Sequence, residues 1–118
     1  MVKKYHITWA APAREDINEI IEYISQTNIN YAVKILNKIE DQVDKLDIFP
    51  ERYRIVPELE RFGYLLYREI IVDYWRIIYK IENNSIYIML VIDSRRNLED
   101  LILKKILLRE GEGHAGIP

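Results

Sequence analysis

The residues best suited to chemistry in this sequence are arginines. Arg52, Arg54, Arg61, Arg68, Arg76, Arg95 and Arg96 fall within residues 52–96, and only Arg14 and Arg109 lie outside that stretch. A guanidinium is planar, permanently charged and forked, so it suits carboxylates, phosphates and the charge that builds on phosphorus in a displacement. Other chemistries are poorly provided for. The absence of cysteine excludes disulfides, thiolate metal sites and cysteine nucleophiles, and two histidines, His6 and His114, argue against a histidine-rich metal site or a Ser-His-Asp triad. No cofactor or metal is expected. Tyr64, Tyr67, Tyr74, Tyr79 and Tyr87 crowd the same stretch, but tyrosines in such a setting are more often packing groups than catalysts.

Charge constrains the partner. The net charge is −2 and the pI about 5.7, against the basic surplus of proteins that grip nucleic acid through its phosphates. The acids Glu15, Asp16, Glu19, Glu22, Glu40, Asp41, Asp44 and Asp47 populate the first half as a solvated face. No apolar run approaches the ~18 to 20 residues that span a bilayer. The opening Met-Val-Lys-Lys-Tyr-His lacks an apolar leader, so a cytoplasmic protein without membrane contact is expected.

Several elements must position these side chains. Tyr5, Ile7 and Trp9 alternate with Lys4, His6 and Thr8, the period of a half-buried strand over residues 3–9. Pro12 suits a helix start, and Ala13, Ile17, Ile20, Ile21 and Ile24 form its apolar stripe. A second helix is expected from Asn30, as N-cap, through Ala32, Ile35, Leu36, Ile39, Val43 and Leu46 to the break at Phe49-Pro50. The short linker makes the two an antiparallel hairpin. Residues 50–63, with two prolines and a closing glycine, read as a loop. Runs over 64–72, 75–82 and 85–92 are rich in β-branched and aromatic residues and form a meander, with Asn83-Asn84 as a tight turn. Asn97, with Asp100 three residues on, opens a final helix to about Arg109. Leu98, Leu101, Ile102, Leu103, Ile106, Leu107 and Leu108 make it apolar nearly all round, more than one packing surface needs. Leu101, Leu103, Ile106 and Leu107 are therefore candidates for a partner surface, either a second protein or another copy of the chain. The fold class is α+β, two-layer, β-α-α-β-β-β-α, with the antiparallel meander packed against the helical hairpin. Residues 1–110 form a single domain and residues 111–118 a flexible tail.

This order of elements resembles the RelE/ParE toxin superfamily, as do four local sequences. They are Ala10-Ala11-Pro12-Ala13-Arg14-Glu15-Asp16-Ile17 with Ile20-Ile21-Glu22-Tyr23-Ile24, then Phe49-Pro50-Glu51 with Val56-Pro57-Glu58-Leu59. Tyr67-Arg68-Glu69-Ile70 with Tyr74-Trp75-Arg76-Ile77-Ile78-Tyr79 is the most specific, and the strand running from Ile86 to Arg96 is the fourth. The resemblance implies the toxin of a type II toxin–antitoxin system, of the kind associated with growth inhibition and plasmid stabilisation, with a cognate antitoxin as partner. One branch of that superfamily cuts messenger RNA on the ribosome without a metal. By resemblance Arg76 and Arg96 stand where its phosphate-holding arginines stand, Arg68 lies on the neighbouring strand, and Arg95 is the alternative to Arg96. These guanidinium groups are expected to gather near one edge of the sheet. The bland readings are a cross-strand ion pair for Arg68, an exposed surface position beside Ile78 and Lys80 for Arg76, and a loop surface for Arg95 and Arg96.

Two departures favour the other branch, whose ParE-like members poison DNA gyrase by binding. The nuclease branch places lysines on the first meander strand, where this chain has Leu66-Tyr67-Arg68-Glu69, and a tyrosine or histidine after the arginine site, where residues 97–109 hold neither. A degenerate relative without toxicity is the third reading.

Overall fold

The computed structural model describes residues 3–95 and 99–113. Strand β1 (His6–Trp9) leads into helices α1 (Ala11–Ser25) and α2 (Ile29–Asp44) and a one-turn helix α3 (Pro57–Glu60). The meander β2 (Tyr67–Val72), β3 (Trp75–Glu82) and β4 (Ser85–Asp93) follows, then helix α4 (Glu99–Gly113). Pro12 sits in the first turn of α1, where its missing N–H costs nothing. The N-cap of α2 is Asn28, not Asn30: its extended backbone aims the side chain at Tyr31 N, which donates at 2.9 Å. Asn30 falls inside the first turn. At its other end α2 stops at Asp44, short of the expected break, because a 3-10 turn over Lys45–Asp47 rotates Leu46 into the core.

The sheet order is β1-β4-β3-β2, with β1 parallel to β4 and the other neighbours antiparallel. Both hairpin turns use a residue that tolerates positive φ, Asp73 (53°) and Asn83 (56°). Ile70, Val72, Trp75, Ile77, Tyr79, Ile86, Ile88 and Val91 pack on the hairpin through Ala13, Ile17, Ala32, Ile35, Ile39 and Val43. These are the expected two layers, meander on helical hairpin. The other face of the sheet is covered as well: Tyr67, Ile78, Met89, Leu90 and Ile92 form a smaller core with Val56, Leu59, Ile102 and Ile106 of α3, α4 and the loop before them. The uninterrupted apolar run over residues 86–92 follows from this double coverage, since a strand buried on both faces has no reason to alternate.

Residues 50–63 are more structured than a plain loop. They hold a 3-10 turn over Pro50–Arg52, a bridge from Ile55 to Arg68 that extends the sheet beyond β2, and α3. Gly63, at φ 84°, ends α3 in a Schellman turn, with Tyr64 N donating to Leu59 O and Gly63 N to Glu60 O, both at 3.0 Å.

Opposite β3, Ile78 faces Leu90 but Tyr79 faces Ile88, so Met89 is an extra, bulged residue. Because β1 reaches only as far as Ile88, the outer edge of β4 beyond that point has no strand beside it. Side chains close it: Asp16 of α1 accepts from Val91 N at 3.1 Å, and Arg109 of α4 donates to Met89 O at 3.0 Å. Asp16 and Arg109 are themselves paired at 2.7 and 2.9 Å, which ties the two ends of the chain across the bulge.

Candidate functional site

Strand alternation decides where each arginine goes. Arg76 leaves β3 on the face shared with Ile78 and Lys80, as its spacing predicts, but it is buried rather than lining an exposed surface, with 6% of its area accessible. All three of its nitrogens donate to carboxylates. Nε bonds Glu69 Oε1, while Nη1 and Nη2 bond the two oxygens of Glu58 on α3, each at 2.7 Å. Glu69 is fully buried in its side chain and shared, its second oxygen taking Arg54, which precedes the Ile55 bridge. The result is a network of two cations and two anions, satisfied from within the fold. The Glu58 hydrogen bond, reinforced by Glu69, raises the Arg76 pKa against the opposing effect of burial, and the same bond lowers the Glu58 carboxyl from its ordinary value.

Arg68 points to the other face, opposite Tyr79 in register, and donates to Tyr53 O at 2.6 Å. Its strand neighbours place it three residues along β2 from the partner of Arg76, roughly 10 Å away and through the sheet. The cross-strand carboxylate considered for it is therefore replaced by a backbone carbonyl. Tyr79 is buried beside it with its hydroxyl donating to Pro50 O at 2.6 Å, and burial pushes the phenol pKa up. Arg95 lies beyond the end of β4, stacked on Tyr74 at 4.4 Å and paired with Asp93 at 2.7 Å. That Asp93 hydrogen bond raises the pKa of Arg95. The structure thus does not bring Arg68, Arg76 and Arg95 together, contrary to the gathering expected. Arg96 and the anticipated cap at Asn97 lie outside the described residues.

The candidate partner residues of α4 divide. Ile106 is buried in the smaller core, Leu101 and Leu103 pack half-buried against it, and Leu107 is exposed together with Leu108. A cleft of about 270 Å³ between α1, α4 and the end of β4 is lined by Asp16, Glu19, Trp75, Asp93 and Lys105 among others. Two of its carboxylates are already engaged, by Arg109 and Arg95. Among the described residues no group of carboxylates and histidines is placed to hold a metal ion, and no helix is long and apolar enough to cross a membrane.

The partners Glu58, Glu69 and Arg54 were not singled out from the sequence. Alternation along β2 places Glu69 on the Arg76 face once the hairpin register is known, but nothing in the spacing of residues 50–63 announces that Glu58 would arrive 18 residues away in sequence to close the guanidinium fork.

Known proteins place this architecture. It is similar to a solved structure titled "Chromosomal ParDE TA system from P. aeruginosa", with a TM-score of 0.60 and 16% sequence identity, covering 76% of this chain and 96% of that one. At that identity the likeness speaks for the fold. No curated protein matches. The model of the ParE toxin of the type II toxin–antitoxin system parDE matches residues 7–98, most of the chain. The chain belongs to this ParE toxin family, and the family implies a cognate antitoxin partner.

Proposed function

We propose that this chain is a toxin that acts in the cytoplasm by binding DNA gyrase, without catalysis of its own, and that a cognate antitoxin neutralises it. The observation that carries the non-catalytic reading is the closed fork of Arg76. Glu58 occupies both Nη atoms in the bidentate geometry a phosphate would otherwise take, and Glu69 holds Nε. A phosphate entering here would have to displace two carboxylates, one of them fully buried. Tyr79, opposite Arg68 in register, is equally committed, with its hydroxyl donating to Pro50 O and its pKa raised by burial, so it is badly placed to take a proton from a ribose hydroxyl near neutral pH. Against the ribosome-dependent cleavage of messenger RNA considered from the sequence, these contacts favour a surface that binds.

Gyrase itself enters through the resemblance to ParE-like toxins, and its test is direct. Purified chain is added to gyrase, ATP and relaxed plasmid, and the products are denatured and separated. Stalled supercoiling with accumulation of linear DNA is the expected outcome. Complete supercoiling at a large molar excess of the chain would remove gyrase as the target.

A further inference from the structure

Along the sequence, the exposed large apolar side chains among the described residues are most closely spaced not on α4 but in the segment that follows α3. Phe62, Tyr64, Leu65 and Leu66 are 57%, 39%, 57% and 64% exposed, four large apolar side chains within five residues. An exposed run of this kind is costly in water and is ordinarily removed from a surface unless something covers it. Nor is it a frayed loop. The Schellman turn at Gly63 fixes its entry through bonds from Phe62 N, Gly63 N and Tyr64 N back to Leu59 and Glu60, and Tyr67 anchors its exit in β2 with Tyr67 O accepting from Val56 N at 2.9 Å.

Two guanidiniums flank the run. Arg61 adjoins it in sequence, with a side chain 61% exposed and engaged in a surface pair with Glu99. Arg54, next to the Ile55 bridge that meets β2, is 57% exposed at its side chain while its inner nitrogens reach Glu69. Such outward donors can accept further carboxylates at little cost. Cations around an apolar centre select the occupant. A second copy of this chain meeting the run about a twofold axis would set arginines against arginines. Nucleic acid has phosphates for the arginines but little to cover four apolar side chains.

We infer that the segment Phe62 to Leu66, flanked by Arg54 and Arg61, is the docking surface for an apolar and acidic stretch of the cognate antitoxin, one that buries the two leucines and sets carboxylates on the two guanidiniums. This rests on the toxin reading above, and it places the main contact away from α4, where Leu107 and Leu108 are the exposed competitors.

The test uses the full chain and the antitoxin from its own operon, mixed and titrated by calorimetry. All substitutions are at exposed positions, and circular dichroism confirms that each variant is folded. Leu65→Ser with Leu66→Ser should weaken binding by roughly a hundredfold, about tenfold for each leucine lost from a buried contact. Arg61→Glu, which leaves the buried Glu69 pair with Arg54 intact, should weaken it by a larger factor at low salt than at high salt. Leu107→Ser with Leu108→Ser should leave it within about threefold of the parent. Unchanged affinity in the Leu65 and Leu66 variant, or a loss confined to the α4 variant, would overturn the assignment. Growth arrest by the unmodified chain, relieved by the antitoxin, is scored separately. Its absence would count against the toxin reading, whereas arrest with undiminished antitoxin binding by the Leu65 and Leu66 variant counts against this surface alone.

Discussion

Substituting Arg76 by alanine separates a structural arginine from a phosphate-binding one. In the parent, Arg76 bridges Glu69, whose side chain is entirely buried, and Glu58, which is 16% exposed. Truncation removes three charge-assisted hydrogen bonds and leaves Glu69 with Arg54 as its remaining cation. Removing one partner of a buried pair costs about 3 to 5 kcal/mol, because the charge left behind is desolvated and uncompensated. The partnership with Arg54 sets the expectation at the lower end, about 3 kcal/mol. For a chain of this size each kcal/mol moves the midpoint by roughly 3 to 6 °C, so Tm should fall by about 9 to 18 °C. The assay is thermal unfolding followed by far-UV circular dichroism at neutral pH, with Arg76→Ala beside a Glu69→Gln, Arg76→Ala double variant. Neutralising Glu69 removes the stranded charge, so the double variant should recover part of the loss. A midpoint within about 3 °C of the parent for Arg76→Ala would refute the structural role and reopen Arg76 as a group kept for a ligand.

Further consequences can be checked independently. Glu58 has a folded-state pKa below its ordinary 4.5, so its contribution is present above that value and lost as pH falls through the lowered one; urea unfolding between pH 6 and 3 should show a shallower acid loss in Glu58→Gln than in the parent. Arg109→Ala breaks the clasp on the β4 bulge and should cost about 1.5 to 3 kcal/mol, with amide exchange speeding up in α4 and at Val91 before the centre of β3; uniform protection would show that the clasp does not hold α4. Tyr79→Phe deletes the bond to Pro50 O and should cost about 1 kcal/mol while leaving growth inhibition intact, and loss of inhibition in a folded Tyr79→Phe protein would point to a proton-transfer role instead.

The legible part of the fold was the part written in local periodicity. Ala13, Ile17 and Ile24 of α1 and Ala32, Ile35, Ile39 and Val43 of α2 are buried as their three- and four-residue spacing requires, and the meander follows its β-branched runs. What stayed hidden depends on contacts between distant residues. Asn28 and Asn30 are equally good caps by type, and only the geometry of the turn after Ser25 selects the former. The double burial of β4 was present in the unbroken run over residues 86–92, but its meaning required knowing that α3 and α4 lie on the face away from the hairpin. The arginines were recognisable as unusual, yet their roles were not. Arg76 is locked by a glutamate from a one-turn helix that residues 50–63 do not advertise, and Asp16 and Arg109 meet from 93 positions apart. Side chains recruited across such distances leave no periodic trace.

The central claim, that the arginine network holds the fold while the toxin acts by binding alone, is tested most directly by replacing the network with hydrocarbon. Combining Glu58→Met, Glu69→Met and Arg76→Met removes the two anions together with their shared cation, an exchange that is often neutral or stabilising for buried ion pairs. In the gyrase supercoiling assay this variant, once shown to be folded, is predicted to stall the enzyme within about threefold of the parent's concentration. A folded variant that no longer affects gyrase, while the parent does, would contradict the claim and return these residues to the working surface of the toxin.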